Sequence, residues 1–72
     1  MIEVSIRAEE EYIKLGQALK KAGLVDSGVD AKMVILDGLV EVNGEICDQR
    51  GRKIKAGDKI RFEDTVWSVE EK

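Results

Sequence analysis

Ile2, Val4 and Ile6 alternate with Glu3, Ser5 and Arg7, the period-two pattern of a half-buried strand. From about Glu9 the period changes. Tyr12, Leu15, Leu19 and Ala22 recur at three and four, which puts an apolar stripe on one face of a helix. Gly23 is a natural stop, because it can take the left-handed conformation beyond the last turn. A second helix is predicted from Ser27, whose hydroxyl caps a free amide while Asp30, three residues on, reciprocates as in a capping box. Ala31, Val34 and Ile35 supply its buried side, with Met33 or Leu36 at the margins, and Gly38 ends it. Only a few residues join the two helices, so they should pack as a tight pair.

After Gly38 the alternation returns. Val40 and Val42 point one way, Leu39 and Glu41 the other, and Asn43-Gly44 supplies a two-residue turn that tolerates positive φ. Residues 45–47 form the returning strand. A loop carrying QRGRKIKAGD (residues 49–58) follows, with a turn at Ala56-Gly57-Asp58. Residues 59–63 then read as a strand with Ile60 and Phe62 inward, and residues 65–70 as a last strand with Trp67 and Val69 on one face, turned back near Glu63-Asp64. The chain contains no internal repeat, linker or low-complexity segment.

A length of 72 residues implies one small domain, 1–72, near the lower end of what folds without covalent staples. The lone Cys47 can form no internal disulfide, which fits a reducing cytoplasm, and it reads as a small packing residue. The N-terminus lacks the basic and apolar regions of a secretory signal, and no apolar run approaches a bilayer span, so no membrane partner is expected. With no histidine, the commonest general base and metal ligand is missing. Carboxylates are plentiful, but no metal-ligand spacing is present. The expectation is a protein without enzymatic activity, cofactor or metal.

The formal net charge of −3 argues against indiscriminate coating of nucleic acid, but its distribution is uneven. Residues 1–13 hold Arg7 against Glu3, Glu9, Glu10 and Glu11, and residues 62–72 hold Lys72 against Glu63, Asp64, Glu70 and Glu71, so each end is acidic. Between them lie Arg50, Arg52, Lys53 and Lys55, with no acid from Gln49 to Lys55. A charge run is usually a solvated face. Here the local absence of acids, the interposed Gly51 and arginine's fork geometry point toward phosphate. Trp67 and Tyr12 could stack on bases, but both fit the apolar pattern and are read as core. Glu9, Glu10 and Glu11 suit a helix N-terminus through its dipole.

The run from Lys14 to Phe62 resembles the S-four RNA-binding domain family. The resemblance rests on IKLGQALKKAGLVDSG (residues 13–28), AKMVILDG (31–38) and LVEVNGEICDQRGRKIKAGDKIRF (39–62). Its most specific part is the Asn43-Gly44 hairpin leading into RGRKIKAGDKI. The added first strand and short length look most like small stand-alone bacterial members of the YbcJ/YaaA type. The resemblance implies an α+β fold, with two packed helices on a small, mostly antiparallel sheet (the αL motif) and an extra N-terminal strand. It also implies that the helix pair and following loop embrace structured RNA. By that likeness, Lys14 and Gln17 on the first helix, Ser27 and Gly28 at the start of the second, Lys32 one turn on, and Asn43 in the hairpin join the loop cations as RNA-binding positions. Gly28-Val29 stands where many members carry arginine, and Gly16 where an acid is usual.

The sequence therefore reads as a cytoplasmic protein that binds structured RNA, ribosomal RNA above all, through Arg50, Arg52, Lys53 and Lys55 with help from the helix pair. Lys20 and Lys21 are at most helpers, and the acidic ends face away from the RNA. A monomer is the default, with ribosomal proteins as further partners. The alternative is a protein-interaction module whose basic loop docks an acidic ribosome-associated partner.

Overall fold

The computed structural model describes residues 2, 4–7 and 9–71. In chain order the elements are β1 (Val4–Ile6), β2 (Ile13–Lys14), α1 (Leu15–Lys21), α2 (Gly28–Leu36), β3 (Val40–Val42), β4 (Glu45–Ile46), β5 (Lys53–Ile54), β6 (Lys59–Phe62) and β7 (Thr65–Glu71). Five strands form one sheet in the order β1-β7-β6-β3-β4, and β2 and β5 form a separate two-stranded ribbon. Every pairing is antiparallel except that of β1 with β7. Two helices on a mostly antiparallel sheet with an added N-terminal strand is the expected fold.

The core follows the two periodicities. Leu15, Ala18 and Leu19 of α1 and Ala31 and Ile35 of α2 are buried against Val40, Val42, Ile60, Phe62, Trp67 and Val69 of the sheet. Trp67 is thus core, as its strand spacing requires. Both helices end in the same way. At the first, Gly23 adopts φ +76° while the Leu24 amide donates to Leu19 O and the Gly23 amide to Lys20 O. At the second, Gly38 adopts φ +74°, and the Leu39 and Gly38 amides donate to Val34 O and Ile35 O. These paired bonds satisfy carbonyls that the helix ends leave open. Ser27 caps α2, accepting from the Asp30 amide over 3.2 Å; the reciprocal bond to the Asp30 carboxylate is not formed among the described residues. Met33 and Leu36, expected at the helix margin, are exposed.

The first helix departs from expectation. It begins at Leu15, not near Glu9. Residues 9–12 form a turn and an irregular approach, with the Glu10 amide donating to Arg7 O, and Ile13–Lys14 then pair with Lys53–Ile54. Glu9, Glu10 and Glu11 therefore do not sit at a helix N-terminus, and α1 has no acid in its first turn. Tyr12 lies outside the helix and is 36% exposed, so its place in the helical stripe was a coincidence of spacing. Burial of Ile13 and Ile54 stabilises the ribbon, at about 1.5–3 kcal/mol per fully buried side chain of this size, and this outweighs the weak preference of a short segment to extend α1.

Candidate functional site

Lys14 occupies the cap position of α1 and offers no side-chain cap. The open amides at this end are satisfied from far along the chain instead. The Leu15 amide donates to Arg52 O over 2.9 Å and the Gly16 amide to Arg50 O over 3.1 Å. A turn closed by the Arg52 amide on Gln49 O shapes the loop between these anchors. The thiol of the buried Cys47 donates to the same Gln49 carbonyl at 3.6 Å, and Ile54, wholly buried, holds the loop's far end. The basic stretch is thus stitched to the start of α1 by backbone bonds, and its side chains are left exposed.

The stitching creates a groove of about 320 Å³ between α1, the loop and the start of α2. Lys14, Lys20 and Arg50 supply its charge, Gln17 its amide, and Gly16, Gly28 and Gly51 bare backbone. Among the described residues no carboxylate lines it. In the ribbon, Lys14 and Lys53 stand directly opposite each other, an arrangement that is repulsive unless an anion is near. Among the described residues the ion pairs are Arg7 with Glu9 and Arg61 with Glu41, so the cations of the groove and ribbon have no carboxylate partner there. Exposed, unneutralised cations beside open backbone form a surface suited to phosphate.

The remaining expected residues are dispersed around this groove. Arg52 is exposed beside it and contributes its carbonyl to the stitching. Lys53 extends over the Tyr12 ring, with Nζ 5.0 Å from the centroid. Lys55 lines a different depression, shared with Glu10, Glu11 and Glu71. Ser27 is engaged in capping, and Lys32 is exposed on α2 outside the groove lining. Asn43 adopts φ +52°. Its Oδ1 accepts from the Lys59 amide at 2.9 Å, and its Nδ2 donates to Asp58 Oδ1 at 3.2 Å. Asp58 Oδ2 in turn accepts from the Lys55 amide at 2.8 Å. Asn43 therefore locks the β3–β4 hairpin to the turn before β6.

Lys20, at most a helper on the sequence reading, lines the groove. Lys14 precedes the helix with extended backbone, φ −74° and ψ 146°, so helical spacing does not relate it to Lys20 or Lys21. Lys20, three residues after Gln17, lies on the groove side, and the Gln17–Lys20 spacing was the available signal. The two acidic ends also prove to be neighbours, because β1 pairs with β7 and sets Ser5 opposite Glu70 and Ile6 opposite Glu71.

Comparison with known proteins places this geometry in context. The chain is 41% identical over 58 residues to the Probable ribosome maturation protein RlbA of Bacillus subtilis (strain 168), covering 81% of this chain and 82% of the relative. Its fold is similar to the solution structure of YbcJ from E. coli, described as revealing an αL motif involved in RNA-binding. The TM-score is 0.74 at 30% identity, over 97% of this chain and 87% of that one. The match to the S4 domain family runs over residues 4–70, from the first strand into the last, and the chain belongs to that family.

Proposed function

We propose that the protein binds structured RNA, ribosomal RNA in particular, without catalysing a reaction on it, and that it acts in ribosome maturation. The groove between α1 and residues 49–52 holds the RNA backbone. Lys14, Lys20 and Arg50 engage phosphate oxygens, Arg52 and Lys53 extend the positive surface, and Gly16, Gly28 and Gly51 let the backbone approach. The observation that carries this reading is the acid-free, cation-lined groove built by the bonds of Leu15 and Gly16 to Arg52 and Arg50. Family membership, the RNA-binding motif described for YbcJ and the name of the Bacillus relative support it.

Contacts of this kind release condensed counterions and supply affinity with little sequence readout. An A-form helix presents its shape and 2′-hydroxyls across a shallow groove, so recognition is chiefly of shape. The test is a fluorescence-anisotropy titration of a labelled ribosomal RNA stem-loop against an equally charged unstructured competitor. Binding that survives the competitor is expected. Complete displacement would reduce the activity to nonspecific charge attraction, and absence of binding at low salt would overturn the reading.

A further inference from the structure

We propose that the depression beside Tyr12 receives one unpaired nucleobase adjoining the RNA helix held in the groove, an inference that rests on the RNA-binding reading above. The depression measures about 340 Å³ and is lined by Glu10, Tyr12, Ile13, Gln17, Lys20 and Lys21. Gln17 and Lys20 line both this depression and the groove, so a strand whose phosphates lie along the groove can pass its next base across the α1 edge onto Tyr12.

Three features assign a base, not a phosphate, to this position. An aromatic ring is offered at 36% exposure, although the chain has only one Trp, one Tyr and one Phe, and the other two are buried. The ring carries a cation over one face. Lys53 Nζ lies 5.0 Å from its centroid, and Lys53 is fixed in β5 beside the buried Ile54 and opposite Lys14. Such a cation–π contact favours the ring and keeps the ammonium ready for the phosphate next to a stacked base. Finally, Glu10 lines the depression together with Lys20 and Lys21, and its carboxylate offers an acceptor to base amino or imino groups while the lysines can reach the flanking phosphates. The groove has no acid in its lining among the described residues. The two cavities thus divide the nucleotide between them, backbone in one and base in the other.

The test compares three RNAs on the wild-type protein: a fully paired stem-loop, the same stem with one unpaired nucleotide, and that RNA with an abasic residue at the unpaired position. All carry the groove-binding helix, and the last two carry the same charge. The unpaired base is expected to raise affinity by about tenfold, within the range of base–aromatic stacking; the abasic RNA should bind like the paired stem. Tyr12→Leu is expected to abolish the gain while leaving paired-stem affinity unchanged, and Tyr12→Phe to retain it. Equal affinity for unpaired and abasic RNAs, or a gain that persists in Tyr12→Leu, would overturn the inference while leaving the groove reading intact. Failure of the wild-type protein to bind any of the three would overturn both.

Discussion

The amide of Gly16 donates to the carbonyl of Arg50 over 3.1 Å, joining the first turn of α1 to the tip of the basic loop across more than thirty residues of chain. Arg50 is thereby positioned by its backbone, and its side chain is free to serve another group. Fold and charge at this site can consequently be varied separately.

Gly16 provides the first such variation. A Cβ there would meet Arg50 O at 3.7 Å, Arg50 Cβ at 3.8 Å and Ala31 Cβ at 3.9 Å, all ordinary contacts. Gly16→Ala is expected to stabilise the protein by about 0.5–1 kcal/mol through lower backbone entropy in the unfolded chain, seen as a higher urea midpoint, and to weaken RNA binding modestly because its methyl stands on the groove lining. Gly16→Glu places a carboxylate in the groove. It should lower affinity by on the order of tenfold or more at low salt through charge repulsion, with the fold retained in circular dichroism.

Ile54 anchors the other end of the loop. It is fully buried between the exposed Lys53 and Lys55, so Ile54→Ala should cost about 2–5 kcal/mol, enough to leave a domain of this size close to unfolding. Ile54→Val, at about 0.5–1.5 kcal/mol, keeps the protein folded. Faster hydrogen exchange of the Leu15 and Gly16 amides in that variant would report loosening of the ribbon; unchanged exchange would show that Ile54 does not hold the loop.

Asn43 separates a structural role from a binding one. Both polar atoms of its side chain are engaged within the protein, and its φ of +52° is tolerated by asparagine better than by most residues. Asn43→Ala is expected to cost about 1–2 kcal/mol through the unpaired groups and the strained turn, measured by urea denaturation, while the folded variant binds RNA as the wild type does. A loss of affinity without a loss of stability would instead assign Asn43 to the RNA contact.

Much of this fold was legible in the chain because single faces are buried. Val40 and Val42, Ile60 and Phe62, and Trp67 and Val69 alternate cleanly, and Asn43-Gly44, Gly23 and Gly38 mark turns that demand positive φ. The β2–β5 ribbon was not legible. Each of its strands is two residues long, too short for a period, and its partners lie far apart in sequence. That omission explains both errors at the start of α1, where Tyr12 was assigned to the core and Glu9, Glu10 and Glu11 to a helix terminus. The basic stretch was conspicuous as composition, but its division among the groove, the Tyr12 ring and the acidic depression around Lys55 depends on pairings that only the folded chain reveals.

On the proposed function, the loop cations bind RNA phosphates from a loop whose position does not depend on their charge. The most direct test is to compare wild type with an Arg50→Glu, Arg52→Glu, Lys53→Glu variant in anisotropy titrations of the stem-loop at increasing salt, alongside thermal melts. If ~4 phosphates are neutralised at a slope of roughly −0.9 each, wild-type affinity falls on the order of a hundredfold between about 50 and about 200 mM salt. The variant should lose binding and keep a melt close to that of wild type. Undiminished affinity in the variant, or wild-type binding indifferent to salt, would show that these cations do not hold RNA phosphates.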